Sequence, residues 1–351
     1  MTKLVIIGTG SHANKHFEAF NAIDGVEIVA ICDVDEENLR QFADTHGIAT
    51  TYRSADDLFA NEDFDAVTNV TPDRFHKPIG LQALAAGKHV FSEKPLAENY
   101  ADARELFLAA RKSGLINMVN FTFRNASGYQ GMAEIMKSGE LGRINQVEAT
   151  YNQCWLTSEY WGRFKEESKF LWRLSEAHGS QGVLGDTGVH IFDLATYPVG
   201  KIKSINCNLK VFEHKGAGVG EYRFDVNDAL NSMVEFENGA VGTISCSRAA
   251  TGFKNTIDIR IMGDLGGIKV CFDQWLEDGL TYDITRDIKS ANMHWERVAV
   301  PQTPTNFERF IASIRTGNNA QPDFERGAEI QKVVDACFES SEKRRWVEIQ
   351  G

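Results

Sequence analysis

The chain has no Cys-x-x-Cys pair, no block of lysine or arginine, and no apolar stretch near the length of a membrane span. Its six cysteines (Cys32, Cys154, Cys207, Cys246, Cys271, Cys337) are widely scattered. That scatter argues against a disulfide frame or a cysteine zinc site and for small buried thiols. A formal net charge of −12 repels a polyanion on average, so nucleic acid is excluded as an expected partner. A membrane helix needs about 20 apolar residues, and no run approaches that. The first apolar run, Leu4 to Ile7, is also too short for a signal h-region and ends at Gly8. The expected compartment is therefore the cytoplasm, and the Asn-x-Ser/Thr triplets at Asn120 and Asn125 carry no glycan expectation.

What is present is globular. Hydrophobic residues make up 42% and charged residues 25% of 351 positions, and that length predicts two domains rather than one core. The opening thirty residues have a definite order. An apolar strand to Ile7 is followed by the turn Gly8-Thr9-Gly10-Ser11-His12-Ala13, a helix to about Ile23, and a second buried strand, Glu27 to Cys32, ending at Asp33. This is the strand, glycine turn, helix, strand and acid of a dinucleotide site. Gly8 permits a tight turn, Gly10 lets backbone approach a pyrophosphate, and Ala13 allows close helix–strand contact. The helix N-terminus offers N–H groups to phosphates. Asp33, 20 residues beyond Ala13, suits a ribose diol and repels a 2′-phosphate, which favours NAD over NADP; otherwise it is a plain strand-end acid.

Strands and helices keep alternating through about residue 122, which predicts a parallel, doubly wound sheet. Ala55 to Phe59 reads as a helix, Ala66 to Val70 as a strand, Phe75 to Ala86 as a helix and Lys88 to Phe91 as a strand. A helix over Asn99 to Ser113 and a strand over Ile116 to Phe121 complete the alternation. Ligands bind such sheets beyond the carboxyl strand ends, so Thr71, Pro72, His76, Glu93 and Lys94 are expected to join the glycine turn there. His12 and His16 either line the same cleft or, for His12, face solvent from a loop. Lys94 at a strand end is suited to hydrogen-bond a reacting oxygen; the alternative is a solvated lysine beside a proline turn.

Asp186, His190 and Asp193 fall at i, i+4 and i+7, one face of an α-helix. A carboxylate there orients the imidazole and stabilises its protonated form, fitting His190 to accept an alcohol proton. The alternative is a capped helix with a satisfied histidine. No third cluster completes a zinc site, so no metal is expected. The segment Trp155 to Arg173 carries Trp155, Tyr160, Trp161, Phe164, Phe170 and Trp172 with Arg163 and Arg173. It serves either as a carbohydrate-stacking surface or as core over a sheet.

Three runs carry a resemblance: Thr71-Pro72-Asp73-Arg74-Phe75-His76, Glu93-Lys94-Pro95, and Gly185-Asp186-Thr187-Gly188-Val189-His190. With Asn306-Phe307-Glu308-Arg309-Phe310 near the end, the chain resembles the glucose–fructose oxidoreductase/inositol dehydrogenase (Gfo/Idh/MocA) family over nearly its whole length. The resemblance implies a Rossmann domain, a C-terminal α+β domain on a large, mostly antiparallel open sheet, and NAD(P)-dependent oxidation of sugars, inositols or polyols by homodimers or homotetramers. It also implies a cis Lys94–Pro95 peptide and a substrate contact at Arg124. Two positions depart from the family pattern: Asp73 and Thr122 stand where asparagines are common.

After Arg143 the sequence becomes β-leaning, with Ile144 to Cys154, Ser204 to Glu213, Ala229 to Glu237, Val241 to Arg248 and Thr256 to Met262 as strands. Asn238-Gly239 marks a hairpin, and Thr305 to Ser341 reads as two helices. The expected fold is therefore α/β: a Rossmann domain over 1–122 and a substrate-binding and oligomerisation domain over 123–351, with the last helices able to return to the first domain. The expected catalytic residues are Lys94, Asp186 and His190, with Arg124, Trp155, Trp172 and Arg173 toward substrate. Two other activities fit the same scaffold: an NAD-assisted, redox-neutral glycoside hydrolase, and a regulator that only binds dinucleotide.

Overall fold

The computed structural model describes residues 1–159, 163, 166, 171–212, 215–273, 280–286 and 294–349. The chain separates into two compact units, Met1–Thr122 with Pro304–Gln331, and Phe123–Thr303 with Lys332–Gly351.

The first unit holds a six-stranded parallel sheet. Its strands are β1 (Thr2–Ile7), β2 (Val26–Cys32), β3 (Thr51–Tyr52), β4 (Ala66–Asn69), β5 (His89–Ser92) and β6 (Asn117–Val119), in the order β3-β2-β1-β4-β5-β6. The central strands are apolar without alternation because helices cover both faces, and Leu4, Val5, Ile6, Ala66 and Val67 are buried. The crossovers are α1 (Ala13–Asn21), α2 (Glu36–His46), α3 (Ala55–Asn61), α4 (His76–Ala85) and α5 (Tyr100–Ser113). Their ends are written in local chemistry. Asp35 and Asn99 accept the Asn38 and Asp102 backbone N–H groups as N-caps, and Gly47 and Gly114 end α2 and α5 in the left-handed region.

Residues from near the end of the chain complete this unit. Phe20 and Phe91 meet Phe307 with ring centroids 5.0 and 5.1 Å away, and Asn306 Nδ2 donates to Asn120 Oδ1 at 3.0 Å.

The second unit begins with α6 (Ser127–Ser138) and β7 (Ile144–Gln153), followed by α7 (Val189–Thr196) and β8 (Ile202–Lys210). A small ribbon, β9 (Gly218–Val219) and β10 (Tyr222–Arg223), precedes β11 (Ala229–Phe236), β12 (Val241–Ser247), β13 (Asn255–Gly263), β14 (Gly267–Asp273), β15 (Leu280–Thr285) and β16 (Glu296–Arg297). Helices α8 (Asn306–Thr316) and α9 (Phe324–Lys343) and strand β17 (Val347–Glu348) end the chain; α8 belongs to the first unit, and the unit boundary falls within α9. Among the described residues the large sheet has nine strands in the order β16-β15-β14-β13-β7-β12-β11-β8-β17. Every pairing is antiparallel except β7 with β12.

One face of this sheet is the core and the other is open, so β11 alternates: Leu230, Ser232, Val234 and Phe236 are buried while Asn231, Met233 and Glu235 are exposed. Asn238-Gly239 closes the β11–β12 hairpin, with Gly239 at φ +87°. No helix among the described residues is long and apolar enough to cross a membrane.

Candidate active site

Three loops of the first unit leave the carboxyl ends of neighbouring strands: after β1 at Gly8, after β4 at Val70, and after β5 at Glu93. Gly8 sits at φ +92°, and a Cβ there would come within 2.7 Å of the Val70 backbone. Glycine is thus required by the fold itself. Gly10 is different, because an added Cβ would meet nothing within 4 Å. Nothing in the fold itself therefore calls for glycine at this position. Ser11 and His12 are exposed on this turn, and Ala13 is buried at the start of α1.

Asp33 does more than sequence reasoning expected. One carboxylate oxygen accepts the Thr9 N–H at 2.6 Å and the Thr9 hydroxyl at 2.9 Å, and the other accepts the Asp35 N–H at 2.9 Å. The acid at the end of β2 therefore fastens the glycine turn.

Glu93 anchors the third loop. Its Oε1 lies 2.8 Å from His16 Nε2 and 3.3 Å from His12 Nε2, and accepts Asn120 Nδ2 at 2.7 Å. The other ring nitrogen of His16 meets Thr68 Oγ1 at 2.8 Å. Burial alone would raise the Glu93 pKa, but hydrogen bonds from His12 and His16 win and hold it well below the usual carboxylate range. The result is a fixed carboxylate immediately before Lys94, which is half-buried, and the Lys94–Pro95 peptide is cis.

The β4 loop is tied to this one. Thr71 Oγ1 donates to Asn69 Oδ1 at 2.6 Å, and Pro72 leads a 3-10 turn over Asp73–Phe75. His76, expected to line the cofactor cleft, is buried instead. Its ring nitrogens face the carbonyl oxygens of Thr71 at 2.8 Å and Pro95 at 2.6 Å. The ring lies between two loops, so His76 ties the β4 loop to the loop that bears Lys94.

In the second unit, Leu184–Gly188 is a π-helical turn that runs into α7, so the spacing from Asp186 to His190 crosses a wider turn than an α-helix gives. Asp186 accepts Arg173 Nη1 at 2.6 Å on one oxygen and Arg248 Nη2 at 3.2 Å on the other. Arg248 is fully buried and also donates to the carbonyls of Arg173 and Gly182, both at 2.9 Å. Burial lowers its pKa against the opposing pull of Asp186.

Asp193 forms a second ion pair. It receives Arg124 Nε and Nη2 at 2.6 and 2.7 Å, with both residues buried and the Tyr197 ring under the guanidinium at 3.3 Å. Arg124, expected to touch substrate, is therefore an internal tie, since its planar fork is closed on a buried carboxylate. Both acids flanking His190 serve arginines. His190 itself is buried edge-on against Phe123, with ring centroids 5.0 Å apart.

The two tryptophans divide. Trp155 is buried in a cluster with Leu171, Leu174 and Phe224, which makes it core. Trp172 is 37% exposed and carries the Arg173 guanidinium 4.7 Å from its ring centroid. Tyr160, Trp161, Phe164 and Phe170 lie outside the described residues. Thr68, Asn120 and Arg248 were missed as site supports. Asn120 shows only as a glycan-like triplet in sequence, and a strand-end Arg248 carries no local signal.

Both units resemble known proteins. Residues 2–121 match the model of an oxidoreductase family's NAD-binding Rossmann fold, and residues 133–349 match the same family's C-terminal alpha/beta domain. The chain belongs to the Gfo/Idh/MocA oxidoreductase family. It is 25% identical to levoglucosan dehydrogenase of Pseudarthrobacter phenanthrenivorans, over 91% of this chain and 88% of that protein. It is 29% identical to D-glucoside 3-dehydrogenase of Escherichia coli, over 99% and 97%. Levoglucosan dehydrogenase solved with NADH and levoglucosan shares the fold at a TM-score of 0.87 and 23% identity, covering 99% of both chains. An oxidoreductase domain protein from Kribbella flavida matches at a TM-score of 0.87 and 28% identity over the whole of both chains. This Gfo/Idh/MocA member thus has an N-terminal Rossmann unit of the NAD-binding kind.

Proposed function

We propose that this protein is an NAD-dependent dehydrogenase oxidising a secondary hydroxyl of a sugar or cyclic polyol, with NAD preferred over NADP. The observation that carries the reading is the His16–Glu93 contact of 2.8 Å, which locks the loop bearing Lys94 to the helix that follows the glycine turn. The residues present fit the dinucleotide: Gly10 leaves open space where its phosphates would lie, and Asp33 directly follows β2, where a ribose diol would reach.

When bound, NAD supplies the hydride-accepting ring. The chain supplies the rest. Gly8 to Ala13 hold the phosphates, and Asp33 disfavours a 2′-phosphate by like charge. The Lys94 ammonium hydrogen-bonds the reacting oxygen and stabilises developing alkoxide character. His190 accepts the hydroxyl proton on its imidazole. Asp186 fixes Arg173 beside Trp172, an apolar face with an adjacent cation suited to a sugar ring and its hydroxyls. The relatives' named substrates, levoglucosan and D-glucosides among them, support a carbohydrate without choosing one.

The test is an absorbance screen for NADH across free sugars, anhydrosugars, inositols and glycosides, with NADP in parallel. Net NADH formation with a free sugar or polyol is expected. Glycoside cleavage with no net NADH would instead select the redox-neutral activity, and dinucleotide binding with no turnover on any member would leave a regulator.

A further inference from the structure

The cluster behind the glycine turn, with His16 and Glu93 buried and His12 exposed, has a donor set that dinucleotide binding does not use up. One ligand atom from each of His12, His16 and Glu93 lies within 4.8 Å of the other two. We propose that these three residues form a binding site for a divalent transition metal of the Zn2+ class, and that it overlaps the dinucleotide cradle so that metal and cofactor exclude each other.

Two imidazoles and one carboxylate are a recurring zinc ligand set that leaves a fourth position open. His12 and His16 stand one helical turn apart at the start of α1, so both rings project to the same side. Around a tetrahedral ion with ligands at about 2.1 Å, donor atoms sit about 3.4 Å from one another. His12 Nε2 and Glu93 Oε1 are already 3.3 Å apart, and His16 Nε2 to Glu93 Oε1, now 2.8 Å, must lengthen by about 0.6 Å. The supporting contacts are those a metal ligand needs. Thr68 Oγ1 at His16 Nδ1 fixes the ring with Nε2 inward, and Asn120 orients the Glu93 carboxylate. Entry is from the His12 side, where that side chain is 47% exposed. The thiols are no rival donors here, because the described cysteines are buried or half-buried elsewhere.

An ion held at this point sits beside Ser11 and His12, on the turn assigned above to the phosphates. The exclusion therefore rests on the dinucleotide reading of Gly8 to Ala13, whereas the metal site does not.

The metal-free protein is titrated with Co2+, an optical surrogate, and with Zn2+ by calorimetry. One ion per chain is expected, with a cobalt d–d spectrum lacking thiolate charge transfer. His12→Ala, at an exposed position, should weaken binding by at least about tenfold, the lower bound for lost outer-sphere partners. Glu93→Gln should do the same. NADH binding to the metal-free protein is followed separately by fluorescence, and saturating NADH should abolish the cobalt spectrum. The proposal is overturned if the wild type takes up no Co2+, or if His12→Ala binds it with unchanged affinity and spectrum. Equal NADH affinity with and without metal overturns the exclusion. Failure of NADH to bind the metal-free protein is a different result, which defeats the cradle reading and leaves the metal titrations standing.

Discussion

His16 and Glu93, 77 positions apart, meet at 2.8 Å with His16 fully enclosed. The contact joins the helix of the glycine turn to the loop that presents Lys94. Because the Glu93 carboxylate is held well below the unfolded value of about 4.3, the unfolded chain binds the extra proton between the two values. Its stabilisation is complete above that range and lost as pH falls through the folded value. Glu93→Gln should cost about 1.5–3 kcal/mol near neutral pH, the range for a charged hydrogen bond. Urea midpoints measured from pH 7 down to pH 3 should show the gap between variant and wild type closing as the medium becomes acidic. A gap independent of pH would contradict the assignment.

The Arg124–Asp193 pair makes a second prediction. Removing one partner strands a charge in a buried site, so Arg124→Met or Asp193→Asn should each destabilise by about 3–5 kcal/mol. Replacing both with apolar residues should recover much of the loss, because no lone charge remains. Chemical denaturation of the three variants checks this. Single variants within 1 kcal/mol of wild type, as an order-of-magnitude bound, would mean the pair is effectively solvated.

Gly8 and Gly10 should separate structure from binding. Gly8→Ala places a Cβ against the Val70 backbone at positive φ and should lose more than about 1 kcal/mol of stability. Gly10→Ala meets empty space, so it should unfold like the wild type while NADH affinity falls. Paired thermal melts and NADH fluorescence titrations give the answer.

Asp33 fastens Thr9, and the proposed function also gives it the ribose. Asp33→Ala should weaken NADH binding and narrow the preference over NADPH by about tenfold or more, since a like-charge contact costs several kcal/mol. Fluorescence titration with both dinucleotides measures the ratio. Thr9→Val, which removes only the hydroxyl contact, should lower affinity for the two alike.

The first unit was largely legible because its signals are local. Glycine turns, continuous apolar strands and helix stops at Gly87 and Gly114 each report on a few neighbouring residues. Helix α2 was not read, since only Leu39 and Phe42 of its residues are buried, too few for an apolar period. Strand β14 is obscured by the glycine pair Gly266-Gly267, of which Gly267 is its first residue. The site was legible in residue type more than in role. Asp33, Asp186 and Asp193 were all noticed, yet their partners Thr9, Arg173, Arg248 and Arg124 lie between 13 and 69 positions away, beyond the reach of helix or strand periodicity. Glu93 and its two histidines, at 12 and 16, are apart in sequence in the same way.

The most direct measurement is the single-turnover rate of NADH formation by Lys94→Ala with a substrate found in the screen, alongside its NADH affinity on the same sample. The account predicts a rate lower by about a hundredfold to a thousandfold, as for loss of one oxyanion donor, with NADH affinity within a few-fold of wild type. A rate near that of the wild type would contradict it.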